Sequence, residues 1–254
     1  MKQFFIAAFA GLISLGAQAQ ITEARTAQAV TAIEVKNGIE VVFTQSDTLG
    51  LKVTTDKTVN LANIVTTYKN GTLKITLRDN DDQAITQTVA KVFVSQKNVT
   101  HFTASTGAAI RVAGKLNLTE ADINLSSGAT FSAILSTTGR CSIEAQSGGG
   151  FRGIINSKDF HAKIVNGGYI RTGGSTDTAK ITCSSGSLNA GKFICHEATI
   201  QAQKASSVSI YANSSIKTEV DASSSVTYYG EPIKTDFGSN AYAVKRDSYK
   251  LNLN

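Results

Sequence analysis

Through the second half of the chain, apolar positions recur two apart, and each such pair is followed three residues later by a small residue. The small residues are Gly107, Gly128, Gly148, Gly167, Gly186, Ala205 and Ser223, at intervals of 21, 20, 19, 19, 19 and 18. Five residues before these marks stand Phe102, Ile123, Ile143, Ala162, Ile181, Ile200 and Thr218, and three before them Ala104, Leu125, Ala145, Ile164, Cys183, Ala202 and Val220. Three residues after them come Ile110, Phe131, Phe151, Ile170, Asn189, Val208 and Val226. Asn189 breaks the apolar rule, and Leu188 one place earlier predicts a local slip of register.

A spacing of two is the period of a strand with one buried face, not that of a helix. Each repeat therefore reads as a strand, a tight corner and another strand. A unit of about 20 residues cannot bury its apolar face alone, so such units stack at roughly 4.8 Å per rung. The expected fold is all-β: a right-handed parallel β-helix, or β-solenoid, with an irregular β-rich N-terminal part. At the corner a residue without a large side chain permits φ > 0 and close approach to the next rung.

Residues 30–100 are strand-rich but less regular, with apolar alternation at Ile33-Glu34-Val35, Val41-Val42-Phe43, Leu51-Lys52-Val53, Leu73 to Leu77 and Val92-Phe93-Val94. Gly38 obeys the repeat frame, with Ile33 and Val35 before it and Val41 after, so a first coil is expected there and an irregular elaboration between Gly38 and Gly107. Asn70-Gly71, between Val65 and Leu73, is a hairpin signal. The lone proline, Pro232, fits a ladder that ends near residue 230. The expected organisation is a leader over 1–19 and a single domain over 20–254, divided into the front part (30–100), the repeats (101–229) and a C-terminal cap (230–254).

Lys2, the apolar run from Phe4 to Leu15 and Ala17-Gln18-Ala19 form the pattern of a secretory signal. The run is shorter than the ~20 residues that span a bilayer, and no later segment is long enough. Export to the periplasm or outer surface of a Gram-negative cell follows. Removing the leader takes away one of 25 basic residues and none of the 19 acidic ones, leaving 24 against 19, a formal charge of +5. Lys and Arg are dispersed without interleaved aromatics, which gives no sign of a nucleic-acid groove. Three cysteines, Cys141, Cys183 and Cys195, are an odd number for an oxidising compartment, so at least one is unpaired or pairs between chains. Cys183 falls in an inward column. Cys183 and Cys195 lie in one coil, and whether they approach within disulfide range is open.

The leader, the segment from Ile33 through Gly38-Ile39-Glu40 to Gln45, and repeats such as Ser126-Ser127-Gly128-Ala129 resemble the secreted bacterial proteins with a head GIN domain, a family of putative autotransporter adhesins and a domain of unknown function. The resemblance covers nearly the whole mature chain. The name-giving Gly-Ile-Asn stands here as Gly38-Ile39-Glu40, whose third residue points outward from a strand by alternation. The resemblance implies an all-β chain with a β-helical portion and a surface or adhesive role, and brings no catalytic residues with it.

Stacking sharpens the search for chemistry. One outward column reads Asn124, Glu144, Lys163, Thr182, Gln201 and Glu219, and the next Asp122, Ser142, His161, Lys180, Thr199 and Lys217. Glycoside hydrolysis needs two carboxylates about 5 to 10 Å apart. Asp122 and Glu144 come nearest, on adjacent rungs, but Glu144 neighbours Lys163 as an exposed ion pair of little energetic value. The polar run Arg78 to Gln83 lacks the Gly and closing Glu of a calcium loop, and Cys195-His196 near Cys183 is at most half of a zinc site. No phosphate loop, nucleophile elbow or dinucleotide fingerprint fits its context, so neither a cofactor nor a catalytic residue is expected. Thr48 in Asp47-Thr48-Leu49 and Thr178 in Asp177-Thr178-Ala179 match a bacterial O-glycosylation triplet. Tyr228, Tyr229, Phe237, Tyr242 and Tyr249 follow the last repeat, where a solenoid must cover its open end; a sugar-binding platform is the functional alternative.

The expectation is a non-enzymatic exported binding protein of the envelope or cell surface, contacting a surface glycan or envelope protein through a Ser/Thr/Asn/Lys-rich face. The candidate residues are Asn124, Glu144, Lys163, Gln201, Tyr228 and Tyr229. A carbohydrate-active lyase or hydrolase on the same scaffold and a structural subunit stacking by its strand edges are the alternatives. Composition leaves the oligomeric state open.

Overall fold

The computed structural model describes residues 21–55, 61–78 and 90–248, so the leader and Tyr249 lie outside the described residues, as does all of the Arg78 to Gln83 run except Arg78. The chain forms a β-solenoid of about eight turns with irregular strands at its N-terminal side. Each turn contributes one strand before the corner and one after it, giving two faces that enclose the core. Along the first face β8 (His101–Ala104), β10 (Ala121–Leu125) and β12 (Arg140–Gln146) pair in parallel, and on the second β9 (Ala109–Leu118) pairs with β11 (Thr130–Thr137). From there single long strands serve both faces: β13 (Gly150–Val165), β14 (Tyr169–Ser184), β15 (Ser187–Gln203) and β16 (Ser207–Val220) each run along the second face and then become the first face of the next rung.

The pairing register matches the sequence frame. Phe102, Ile123, Ile143, Ala162, Ile181, Ile200 and Thr218 form one stacked inward column, and Ala104 through Val220 another. The slip at Asn189 is real: Leu188, not Asn189, pairs with Ile170 and Val208. Inside, Phe43, Phe102, Phe131 and Phe151 form a continuous aromatic run with centroid separations of 5.3, 5.2 and 6.0 Å. Phe160 and Phe193 extend the aromatic core at 5.0 Å. Edge-to-face and offset contacts of this kind add about 0.5–1.5 kcal/mol per pair to the area they bury.

The corners carry two consecutive left-handed residues, not one. Asn37-Gly38, Thr106-Gly107, Ser127-Gly128, Ser147-Gly148, Asn166-Gly167 and Lys204-Ala205 all have φ between 50° and 79°. The mark's N–H donates to the carbonyl of the first corner residue one rung on, as from Gly107 to Ser127 (2.9 Å) and Gly128 to Ser147 (3.0 Å). The close approach expected at the mark falls one residue later. A Cβ on Gly107 or Gly128 would meet nothing within 4 Å, whereas one on Gly168 would stand 2.1 Å from the Ala145 carbonyl oxygen and one on Gly149 2.5 Å from that of Leu125.

The front part is corrected in one respect. The Gly38 coil, β2 (Ala32–Val35) and β3 (Glu40–Gln45), is a full rung beneath β8 and β9, but it is not the terminal one. β6 (Thr72–Leu77) and β7 (Lys91–Gln96) form a further parallel rung below it, so chain order and stacking order differ. Antiparallel strands make this possible: β5 (Ile64–Lys69) turns into β6 through Asn70-Gly71, both with positive φ, while β4 (Gly50–Thr55) pairs with β7 and β1 (Ile21–Ala24) with β4. At the other end β17 (Ser225–Tyr229), β18 (Lys234–Asp236), a 3-10 turn over Gly238–Ala243 and β19 (Val244–Arg246) cover the last rung.

At the Ser223 corner Ser223 has left the left-handed region, and side chains take over the ladder. The Asp221 carboxylate accepts from the Lys204 N–H (2.6 Å) and from the Ser223 N–H and hydroxyl (3.0 and 2.9 Å), and the Ser223 hydroxyl accepts from the Ala205 N–H (2.9 Å). The Lys204 amide, helped by the serines, holds the Asp221 pKa at about 2, against an ordinary 3.8. A carboxyl held low in the folded state stabilises the fold above its unfolded pKa and ceases to do so as pH falls through its folded one. Acid titration should therefore show stability lost between about pH 4 and pH 2, and the Asp221→Asn variant should lack that component. In urea denaturation Gly128→Ala is expected to cost about 1 kcal/mol, for its φ alone, and Gly168→Ala about 3 kcal/mol or more, for its clash with backbone. Ala205→Gly should stabilise by up to about 1 kcal/mol.

Candidate binding surfaces

The first face holds four of the sequence candidates in one column. Asn124 pairs in register with Glu144, Glu144 with Lys163, Lys163 with Thr182, and Thr182 with Gln201. Glu144 accepts from Lys163 at 2.9 Å; further along the same column Glu34 lies between Lys36 and Lys74 (2.9 and 3.9 Å), and in the neighbouring column His101 stands beside Asp122 (3.3 Å). This face is a lattice of exposed pairs that satisfy one another, each of small energetic value. Asp122 and Glu144 are thus each engaged by a neighbouring side chain and do not form a pair facing a common cleft.

The tyrosines do not join that column. Tyr228 points inward, 8% exposed, with its ring 5.6 Å from Phe237, so it serves the cap and is not open to a sugar. Tyr242 is 68% exposed on the 3-10 turn. Tyr229 lies on the second face, where its ring packs over Gly191.

A second surface was missed by the sequence reading, although it has the expected composition. Where the second face bends back toward the first, a groove of about 940 Å³ opens along the rungs. Its wall is a ladder of Asn117, Ser136, Asn156 and Ser175, adjacent in register, and Lys97 and Lys158 also line it. The Ser175 hydroxyl donates to the Asn156 Oδ1 (3.2 Å). Behind the ladder Thr176 is buried and its hydroxyl donates to the Lys158 carbonyl (3.0 Å), which fixes the bend. Gln45 closes one end by pairing like a strand, donating to the Asn117 carbonyl (2.7 Å) and accepting from the Asn117 N–H (2.9 Å). The ladder recurs at intervals of 19 or 20, eight residues past the marks Gly128, Gly148 and Gly167. That signal lay within reach but outside the frame built on the corner.

The family model described as putative auto-transporter adhesin, head GIN domain, matches residues 29–232. The chain belongs to the head GIN domain family. Solved structures share its fold at low identity. A putative adhesin from Parabacteroides merdae superposes with a TM-score of 0.79 at 15% identity, over 90% of this chain and 96% of that one. A putative adhesin from Parabacteroides distasonis gives 0.72 at 13%, over 91% and 98%. A protein from the same species described as a putative lipid binding protein gives 0.70 at 18%, over 90% and 97%. No curated protein matches the sequence.

In this head GIN chain the Gly38-Ile39-Glu40 triplet is a corner followed by a core residue and an outward one. Gly38 has φ +69°, Ile39 is fully buried, and Glu40 sits between Lys91 (3.2 Å) and Arg111 (3.9 Å). The departure from Asn thus falls outside the core. Thr48 and Thr178 are both exposed; Leu49 beside the first is exposed, whereas Ala179 beside the second is buried. Among the described residues no group of three or more His, Cys, Asp or Glu is placed to hold a metal ion, and alternation separates buried Cys195 from exposed His196.

All three cysteines are free and buried. Burial pushes the Cys195 thiol up to about 12, and burial with the Asp122 carboxylate does the same for Cys141; Cys183 is raised by burial as well. Thiols held protonated are poor nucleophiles. At pH 8 iodoacetamide should leave the native protein unlabelled and add three groups after denaturation, measured by intact mass; labelling of the native form would contradict this packing.

Proposed function

We propose that this is a non-enzymatic, exported surface protein that binds glycans through the groove between its two faces. The observation that supports this most directly is the in-register ladder of Asn117, Ser136, Asn156 and Ser175. Amides and hydroxyls that each both donate and accept match the hydroxyls of a neutral sugar, and their stacking at roughly 4.8 Å offers the same contacts to successive units of a chain. Among the described residues lining the groove Asp177 is the one carboxylate, while glycoside hydrolysis takes a pair. Membership of a family of putative adhesins agrees with binding instead of turnover. The leader over residues 1–19 provides export, and Thr48, with its exposed apolar neighbour, is the more accessible acceptor for a glycan than Thr178.

A neutral glycan array probed with the mature protein tests this. Binding is expected without cleavage products. In Asn156→Leu, which removes two hydrogen-bonding groups from the middle of the ladder, affinity should fall about ten-fold or more, since each unsatisfied partner costs about 1–3 kcal/mol. The Lys163→Ala change on the first face should leave binding unaltered. Cleavage, or equal loss from the Lys163 variant, would count against the groove.

A further inference from the structure

We infer that the second face carries a separate site for an acidic polysaccharide, built on Arg152, Arg171 and Lys192. This site is independent of the neutral-glycan groove. Arg152 and Arg171 stand side by side in register on adjacent rungs, and Lys192 projects beside them from the rung that follows Arg171. Elsewhere Lys36, Lys74, Lys91, Lys97, Lys163, Lys217 and Arg246 each have a carboxylate within 4 Å. Arg152, Arg171 and Lys192 have none among the described residues, and no described carboxylate lines the trough of about 670 Å³ that they border. Three cations thus converge on one open concavity with no internal counter-charge.

The floor of the trough is shaped by an interruption in the repeat. β15 carries additional residues between Ala190 and Ile194 relative to β16, and the resulting bulge opens the sheet. Gly173 and Gly174 line the floor without side chains. The Tyr229 ring packs over Gly191, and Ile154, 43% exposed, forms an apolar shelf beside Arg152. Arg152 is itself steered by the Tyr169 ring, 5.5 Å beneath its guanidinium. A flat apolar shelf with an aromatic wall suits the face of a sugar ring, and the guanidinium fork suits a carboxylate at its edge. Adjacent rungs place the two arginines about 4.8 Å apart at the backbone, so two long, flexible guanidinium side chains line one stretch of a uronic acid polymer and can each reach a carboxylate along it. Three cations along the border of the trough suit a ligand that carries a charge on each unit, which an acyl chain does not.

The probe is polygalacturonate, with its methyl ester as the uncharged control, titrated calorimetrically against the mature protein. Expected are binding to the acid that weakens with added salt, little binding to the ester, and a fall of about ten-fold or more in Arg152→Gln/Arg171→Gln. Gly173→Glu, which places a carboxylate in the trough, should abolish binding, with circular dichroism confirming that each variant stays folded. Asn156→Leu should bind the acid normally, so failure of the groove and failure of this site are told apart. Equal binding of acid and ester, no effect of the arginine changes in folded protein, or preference for phosphatidylglycerol vesicles over the polymer would each overturn the inference.

Discussion

Everything in this molecule depends on the corner. Two consecutive residues at positive φ reverse the chain in the space of one rung, and the amide of the second bonds to the carbonyl of the first in the neighbouring rung. A corner so short leaves no freedom in how the strands on either side are placed, so register on both faces is inherited from it. The cost of holding Asn, Thr, Ser or Lys in the left-handed region at each turn, about 1–2 kcal/mol for an ordinary side chain, is offset by the hydrophobic columns that this register closes over. Polar residues with short side chains recur at the first position because they tolerate that conformation best.

Where the corner chemistry drifts, other groups must replace it. Gly186 no longer has positive φ and stands in register with Gly168, so that corner is one residue short. Asp221 and its serines then hold the Ser223 corner by side-chain bonds, and Thr218, fully buried in the inward column, has no partner for its hydroxyl. An unsatisfied buried hydroxyl costs about 1–3 kcal/mol. The last rungs are therefore less well determined than the middle ones, and here the chain lays β18, the 3-10 turn and β19 across the end. Asn240 completes the closure by donating to the Val220 carbonyl (2.7 Å), which leaves less of the terminal edge open to pairing with another chain.

The inward columns were legible because burial and period coincide: Phe102, Ile123 and Ile143 repeat both in type and in place. The order of the front rungs was not, because nothing local to Leu73 or Val92 says that these strands pair beneath Ile33 and Val41; that placement follows from antiparallel reversals at β4 and β5, which are contacts distant in sequence. The expected face and the groove share a composition but differ in position. Asn124, Glu144 and Lys163 alternate outward as expected, yet opposite charges on adjacent rungs make Glu144 and Lys163 each other's ligands. The Asn/Ser ladder of the groove has the same period but lies at the bend, where the alternation of the strands no longer indicates direction.

The trough shows why a constant repeat length can conceal a break. Between Gly167, Gly186 and Ala205 the intervals are both 19, but paired positions tell a different story: Ile170 to Leu188 is 18 residues and Leu188 to Val208 is 20. One residue is lost at the Gly186 corner and one gained in the bulge that contains Gly191, so the two irregularities cancel in the sequence and not in space. A perfectly periodic solenoid presents a flat ladder whose side chains are spent on their neighbours above and below. At this bulge the ladder is interrupted, and a concavity and three cations without a carboxylate partner occur together there, at Arg152, Arg171 and Lys192.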